Sequence, residues 1–406
     1  MSAQPQAQPD QRTQTRAALL SYGASFSYQI TLGLIQVLVP LYALHLGYDL
    51  TLLGVIVASQ AVFGLVLRLF AGAIADQFGE RWVLWASFVT MIVGMVFFVA
   101  SGFFWMLILG QSFVGYSRAT YWTATQSYVS RINPERSGEI YGRLNAFGSG
   151  GGLIGAAMSG VLVITLGYGV AFAVTGAIAL AGFIGCLAMP PLAARPARRG
   201  FRAPLGHIPG IARHRGMGLA AFAAFVASMS MIMTSILFIP YLRELDYTED
   251  VIGGMQAIGV GGSVAIGMVF GHVLARLGRQ WTYTIALLMV GIVVLGISAG
   301  AGAYATLVPL MLLYGVFRST LGILYPIAGA DHSSPNQRGM AMAYVGLYWG
   351  TAQLVAPLGF GALAGMFSIE ASLWTAGVLF LVAGALFPLL YRWFVPGPEQ
   401  TFGERP

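Results

Sequence analysis

Apolar stretches of bilayer-crossing length alternate with short polar breaks along this 406-residue chain. A hydrocarbon core about 30 Å thick takes roughly 20 helical residues to cross, and runs of that length recur from end to end. The pattern predicts helices over 17–42, 51–75, 82–101, 104–130, 139–166 and 169–189. A second set follows over 217–241, 251–275, 281–301, 303–330, 339–366 and 370–394. The predicted fold class is an all-α polytopic membrane protein with twelve transmembrane helices as two pseudo-symmetric six-helix bundles. Residues 1–16 and 395–406 are its polar tails, 17–189 and 217–394 its bundles, and 190–216 the linker between them.

The polar positions give the chain its sidedness. All 21 basic residues are arginine. All but four lie in the tails and loops on the side of the N-terminus; Arg243 stands on the opposite side, and Arg68, Arg118 and Arg318 lie inside crossings. Basic loops mark the cytoplasmic face, so a multi-pass protein of the cell (inner) membrane with both termini cytoplasmic is expected. The linker carries Pro190, Pro191, Pro196, Pro204 and Pro209, which forbid a continuous helix.

The two halves repeat each other. At an offset of 199, Tyr42, Leu46, Tyr48, Gly54, Gly72, Gly79 and Trp82 meet Tyr241, Leu245, Tyr247, Gly253, Gly271, Gly278 and Trp281. The offset becomes 200 where Gly115-Tyr-Ser-Arg118-Ala-Thr120 returns as Gly315-Val-Phe-Arg318-Ser-Thr320. It becomes 201 for Pro134, Gly138 and Gly160 against Pro335, Gly339 and Gly361. Six crossings per half leave the second half oriented like the first, and parallel halves with a site between them are a transporter architecture.

Gly72-Ala-Ile-Ala-Asp76-Gln-Phe-Gly79-Glu-Arg81 closes the second crossing and opens the third. It resembles the cytoplasmic signature of the major facilitator superfamily (MFS), and the likeness in helix number and central loop covers nearly the whole chain. The resemblance implies the MFS fold, a transporter working by alternating access, and a gating role for Gly72, Asp76, Gly79 and Arg81. Gln77 and Glu80 stand where the family usually has basic residues, and Ala275 replaces the acid of the second copy, Gly271 to Arg279. Gly151 to Gly160 partly resembles the family's antiporter motif. Small residues at every fourth position also let helices pack closely, and the stripe is read here as packing.

The resemblance further implies that the first, fourth, seventh and tenth helices line a central cavity. The residues add their own support. Gln111, Gly115, Arg118, Trp122 and Gln126 share one helical face, as do Gly315, Arg318, Gly322 and Tyr325. Tyr22, Ser25, Gln29, Gly33 and Gln36 form a polar stripe on the first helix. Arg118 is about 18 Å from the end of its helix at 1.5 Å per residue, close to mid-membrane. An arginine there costs about 2.5–3.5 kcal/mol or more, and no acid occupies the middle of any crossing. Two partners are open: a solute carboxylate or phosphate gripped by guanidinium forks, or backbone carbonyls and neighbouring glutamines that tie helices together. The candidate substrate-binding residues are Arg118, Arg318, Gln29, Gln111, Trp122, Gln126, Tyr325 and Trp349, with Tyr121 and Tyr348 as further aromatic candidates.

Composition narrows the function. Charged residues make up 9% of the chain, against about 25% in soluble domains. The absence of lysine removes a phosphate-binding P-loop. The single Cys186 removes an intramolecular disulfide, and the five histidines show no ligand spacing, so no metal or cofactor is expected. The net charge of +7 is a topology signal with no nucleic-acid role attached. The expected function is secondary active transport of a small organic solute, read as anionic, by a monomer in the lipid bilayer, with a proton or counter-ion as coupling partner. The alternative is a multidrug/proton antiporter of the same superfamily. A non-transporting membrane sensor or enzyme is the remaining reading, without a nucleophile–base pair to support it.

Overall fold

The computed structural model describes residues 10–133, 136–191, 215–300, 303–333 and 338–395; within these, the side chains at 63, 66–78, 137–138 and 338–340 are not described. Every predicted crossing appears as a helix. In chain order they begin with α1 (Gln11–His45), α2 (Leu50–Phe78), α3 (Glu80–Val99) and α4 (Phe104–Ile132). The run Ser137–Leu187 holds α5 (137–166) and α6 (168–187). Next comes α7 (Arg215–Glu244), and the run Glu249–Gly300 then holds α8 (249–277) and α9 (279–300). The chain closes with α10 (Tyr304–Asp331), α11 (Arg338–Met366) and α12 (Ile369–Phe394). The largest departure is at α1, which begins inside the predicted tail because Asp10 caps it, accepting from the Thr13 N–H at 3.3 Å.

Three connections are single-residue turns, and glycine explains each. Gly79, Gly167 and Gly278 have φ of 84°, 77° and 70° with ψ of 146°, 166° and 170°. That region is nearly closed to residues with a Cβ. The tight turn expected at Gly79 is therefore present, and its repeat Gly278 makes the same turn in the second half.

Within the first half, the stripe at Gly151 to Gly160 packs α5 on α1. A Cβ at Gly151 would lie 2.4 Å from the Phe26 carbonyl oxygen, and one at Gly155 would lie 2.2 Å from that of Ile30. The stripe is a close-packing surface, as read from its spacing. Between the halves there are two crossings, and they are repeats of each other. On α2, a Cβ at Gly54 would lie 2.4 Å from the Pro357 carbonyl oxygen of α11, with the Gly361 Cα at 3.3 Å. On α8, a Cβ at Gly253 would lie 2.9 Å from the Ala156 carbonyl oxygen of α5, with the Gly160 nitrogen at 3.1 Å. The glycines that align at offsets of 199 and 201 are thus the residues that let the halves touch.

Candidate functional site

Both crossings sit toward the face opposite the arginine-rich loops, and they set where the molecule is open. From 151 to 160 only Ile154 and Met158 of α5 are exposed. Nearer the arginine-rich face Gly142, Arg143, Asn145, Ala146 and Phe147 all are, more than half the helix circumference. On α8 no residue from 251 to 264 is exposed, whereas 267–269, 271 and 272 are. The halves meet toward one face, and the exposure of α5 and α8 rises toward the arginine-rich face, the side on which a cleft between the halves would open. Helices α1 and α7 are the most enclosed apolar spans, with 72% of each apolar window buried. Yet Gln36 of α1 is exposed amid buried neighbours.

Arg118 is the middle residue of α4, and Arg318 sits at the middle of α10. Leu109, 44% exposed, marks the lipid side of α4. It lies nine residues from Arg118, about two and a half turns at 3.6 residues per turn, so the arginine points the other way. On α10, Leu312 and Leu313 are 43% and 37% exposed. They lie six and five residues from Arg318, and it too faces inward. Both side chains are half-buried.

Their immediate partners differ. Arg118 Nη1 donates to Gln60 Oε1 of α2 at 2.9 Å. The Arg318 guanidinium lies over the Tyr314 ring, 5.8 Å from its centroid, and its buried Nε has no hydrogen-bond partner. Tyr314 is held in place because its hydroxyl donates to the Ser230 carbonyl of α7. The remaining candidates divide. Tyr325 and Trp349 come together, ring centroids 4.6 Å apart, as a wall between α10 and α11, with the Trp349 carbonyl accepting from Ser228 Oγ at 2.8 Å. Trp122 is half-buried and Gln126 exposed on the Arg118 face. Gln29 is half-buried beside Gly148. Gln111 is 5% exposed, its Oε1 buried without a partner. Tyr121 is fully buried and stacked on Tyr28 at 3.6 Å, so it is packing rather than cleft wall; Tyr348 is 39% exposed.

The side chains of Arg68, Gly72 and Asp76 lie outside the described residues. Arg81 is described, and it donates to the Leu187 carbonyl at 3.4 Å while lying over Trp85, 5.0 Å from the ring centroid. Trp85 Nε1 reaches the Cys186 carbonyl at 3.0 Å and Arg16 the Ala188 carbonyl at 3.3 Å, so these groups together cap the end of α6. Glu80, which departs from the family pattern, pairs with Arg131 at 2.7 Å and accepts from Ser127 Oγ at 2.9 Å.

Two features have little or no trace in the residue pattern. Gln60 was legible only as the residue repeating at Gly259. The other is a π-turn over Thr234–Phe238 in α7, where the Ile239 N–H reaches back to the Thr234 carbonyl. Pro240 follows at once and cannot donate, which favours this irregular turn. Ser235 Oγ of the turn donates to the Gln36 carbonyl at 3.3 Å, joining α7 to α1 across the halves.

The sequence profile of the Major Facilitator Superfamily matches residues 22–217 and 220–406. The quinolone resistance protein NorA of Staphylococcus aureus is 23% identical over 154 residues, which are 38% of this chain and 39% of that protein. The match therefore spans well under half of that relative. Among solved structures, a single-site variant of the nucleoside transporter NupG superposes with a TM-score of 0.81 at 13% identity, covering 93% of this chain and 99% of that one. The human organic anion transporter MFSD10 gives 0.67 at 18% identity, covering 94% and 100%.

Proposed function

Because this chain belongs to the Major Facilitator Superfamily, we propose that it is a secondary transporter that carries a small organic anion by alternating access. The arginine-rich face is cytoplasmic on the positive-inside rule, so the cleft opens inward. The observation that carries the anionic reading is the pair of inward-facing arginines at the midpoints of α4 and α10. The acidic residues lie at helix ends, in loops or in tails, and none is at the depth of either guanidinium. One charge-assisted hydrogen bond such as Arg118 to Gln60 returns about 1.5–3 kcal/mol, and Arg318 Nε lacks even that. A solute oxyanion supplies the missing acceptor, and the Tyr325–Trp349 wall takes its apolar part. The carrier acts as a monomer, driven by a proton or counter-ion gradient.

The likeness to a quinolone resistance protein favours a second reading, export of amphipathic drugs in exchange for protons. Reconstituted protein separates the two. Counterflow with a panel of organic carboxylates, phosphates and hydrophobic cations should show movement of anions. In Arg118→Ala and Arg318→Ala that movement should fall about tenfold to hundredfold, the loss of one charge-assisted contact. Cation transport that survives both substitutions would leave the drug-exporter reading and remove the anion one.

A further inference from the structure

We infer that the two arginines divide the work: Arg318 is the anchor for the solute's acid group, and Gln60 holds Arg118 as a stand-in acceptor until the solute displaces it. The inference rests on the anion reading above and concerns the same site. Position 60 repeats at 259, the offset of 199 that also relates Gly54 to Gly253 and Gly79 to Gly278. The backbone is alike at the two places. A Cβ at Gly115 would lie 1.9 Å from the Gln60 carbonyl oxygen, and one at Gly315 would lie 1.8 Å from that of Gly259. Helix α4 thus crosses α2 as closely as α10 crosses α8, and beside the arginines the halves differ at two places: Gln60 against Gly259, and Val114 against Tyr314.

These two differences give the guanidiniums unlike surroundings. Gln60 offers Oε1 to Arg118 at 2.9 Å. Gly259 offers no side chain, and Arg318 rests against the Tyr314 ring with Nε undonated. Room for a counterpart exists, because a Cβ at Gly259 would meet only the Met311 carbonyl oxygen at 3.5 Å, an ordinary contact. An oxyanion arriving at Arg318 replaces no hydrogen-bond acceptor and draws the guanidinium off the Tyr314 ring. At Arg118 it must first replace an amide oxygen, a weaker acceptor than a carboxylate. The aromatic pair lies on the side of Arg318, since Tyr325 is seven residues, about two turns, beyond it on the same face and is tilted against the buried Trp349. The C-terminal half therefore presents an acid-binding group and an apolar shelf together. That combination selects an aromatic or otherwise apolar monocarboxylate, with Arg118 closing on it second.

The test is phenylglyoxal modification of the full-length protein in nanodiscs, read per arginine by peptide mass spectrometry, with benzoate as the competing monocarboxylate. The expected rate at Arg318 exceeds that at Arg118 by about tenfold, the lower bound for one charge-assisted hydrogen bond. Gln60→Ala should raise the Arg118 rate, and Gly259→Gln should slow the Arg318 rate. Benzoate should protect Arg318 at lower concentration than Arg118. Equal rates in the unmodified protein, or rates indifferent to both substitutions, would overturn the division of work while leaving anion transport standing if Arg318→Ala still abolishes it. Unequal rates with undiminished anion transport in Arg318→Ala would instead remove the anion reading, and this inference with it. Gln60→Ala keeps the test decisive if Gly259→Gln fails to fold.

Discussion

At the rim of the first half, Glu80 opens α3 and faces Arg131 near the end of α4 at 2.7 Å. At the rim of the second, Arg279 opens α9 and faces Asp331 at the end of α10 at 2.9 Å. The positions are repeats, offset by 199 and 200, and the charges are exchanged. A pair that is neutral within its own half does its work with either polarity, because it only ties two neighbouring helices. The centre behaves differently. Arg118 and Arg318 keep the same sign in both halves. Identical charge at both symmetry-related places suits a shared partner outside either half, and in the proposed function that partner is the solute.

The first way to break the comparison is at the tighter rim. Side chains of Arg131 and Glu80 are 15% and 9% exposed. Arg131→Ala strands a carboxylate and should lower stability by about 3–5 kcal/mol, read as a fall in melting temperature in detergent. The double exchange Glu80→Arg with Arg131→Glu copies the polarity of the other half and should recover most of that loss. The inter-half crossings should instead respond alike. Gly160→Leu and Gly361→Leu both overfill backbone contacts, with a Cβ at Gly160 falling 1.9 Å from the Glu249 carbonyl oxygen and one at Gly361 falling 2.7 Å from that of Leu50. Overpacking costs about 1–3 kcal/mol, and each should slow transport by up to roughly hundredfold. Cysteine pairs placed at 142 and 271 report the accompanying movement by spin-label distance, since the native Cys186 is buried. Smaller is Gly278→Ala, which strains a φ of 70° and should cost about 1–3 kcal/mol, matched by Gly79→Ala. Smallest is Arg279→Ala, where exposures of 30% and 23% hold the expected loss of stability to about 1 kcal/mol or less.

The fold was legible because a bilayer enforces helix length and hydropathy, and because duplication wrote the pattern twice. Gly54, Gly160, Gly253 and Gly361 stood out as repeats, and they are among the residues at which the halves touch. Arg118 shares its helical face with Trp122, and Arg318 with Tyr325. Less was legible where a side chain's meaning depends on its neighbour. Gln60 is one amide among many until α2 is laid on α4. Tyr121 shares a helix with Arg118 but turns to stack on Tyr28. Arg81 carries a motif's gating expectation, yet here it caps α6, an end that no local pattern ties to α3. The π-turn in α7 had one signal, Pro240 inside a predicted crossing.

The most direct measurement is a cryo-electron microscopy map of the protein with a transported organic carboxylate bound. The account predicts the carboxylate within hydrogen-bond distance of the Arg318 guanidinium, its apolar part against Tyr325 and Trp349, and Arg118 drawn off Gln60 toward it. A ligand lodged elsewhere in the cleft, with Arg318 still against Tyr314 and Arg118 still on Gln60, would contradict it.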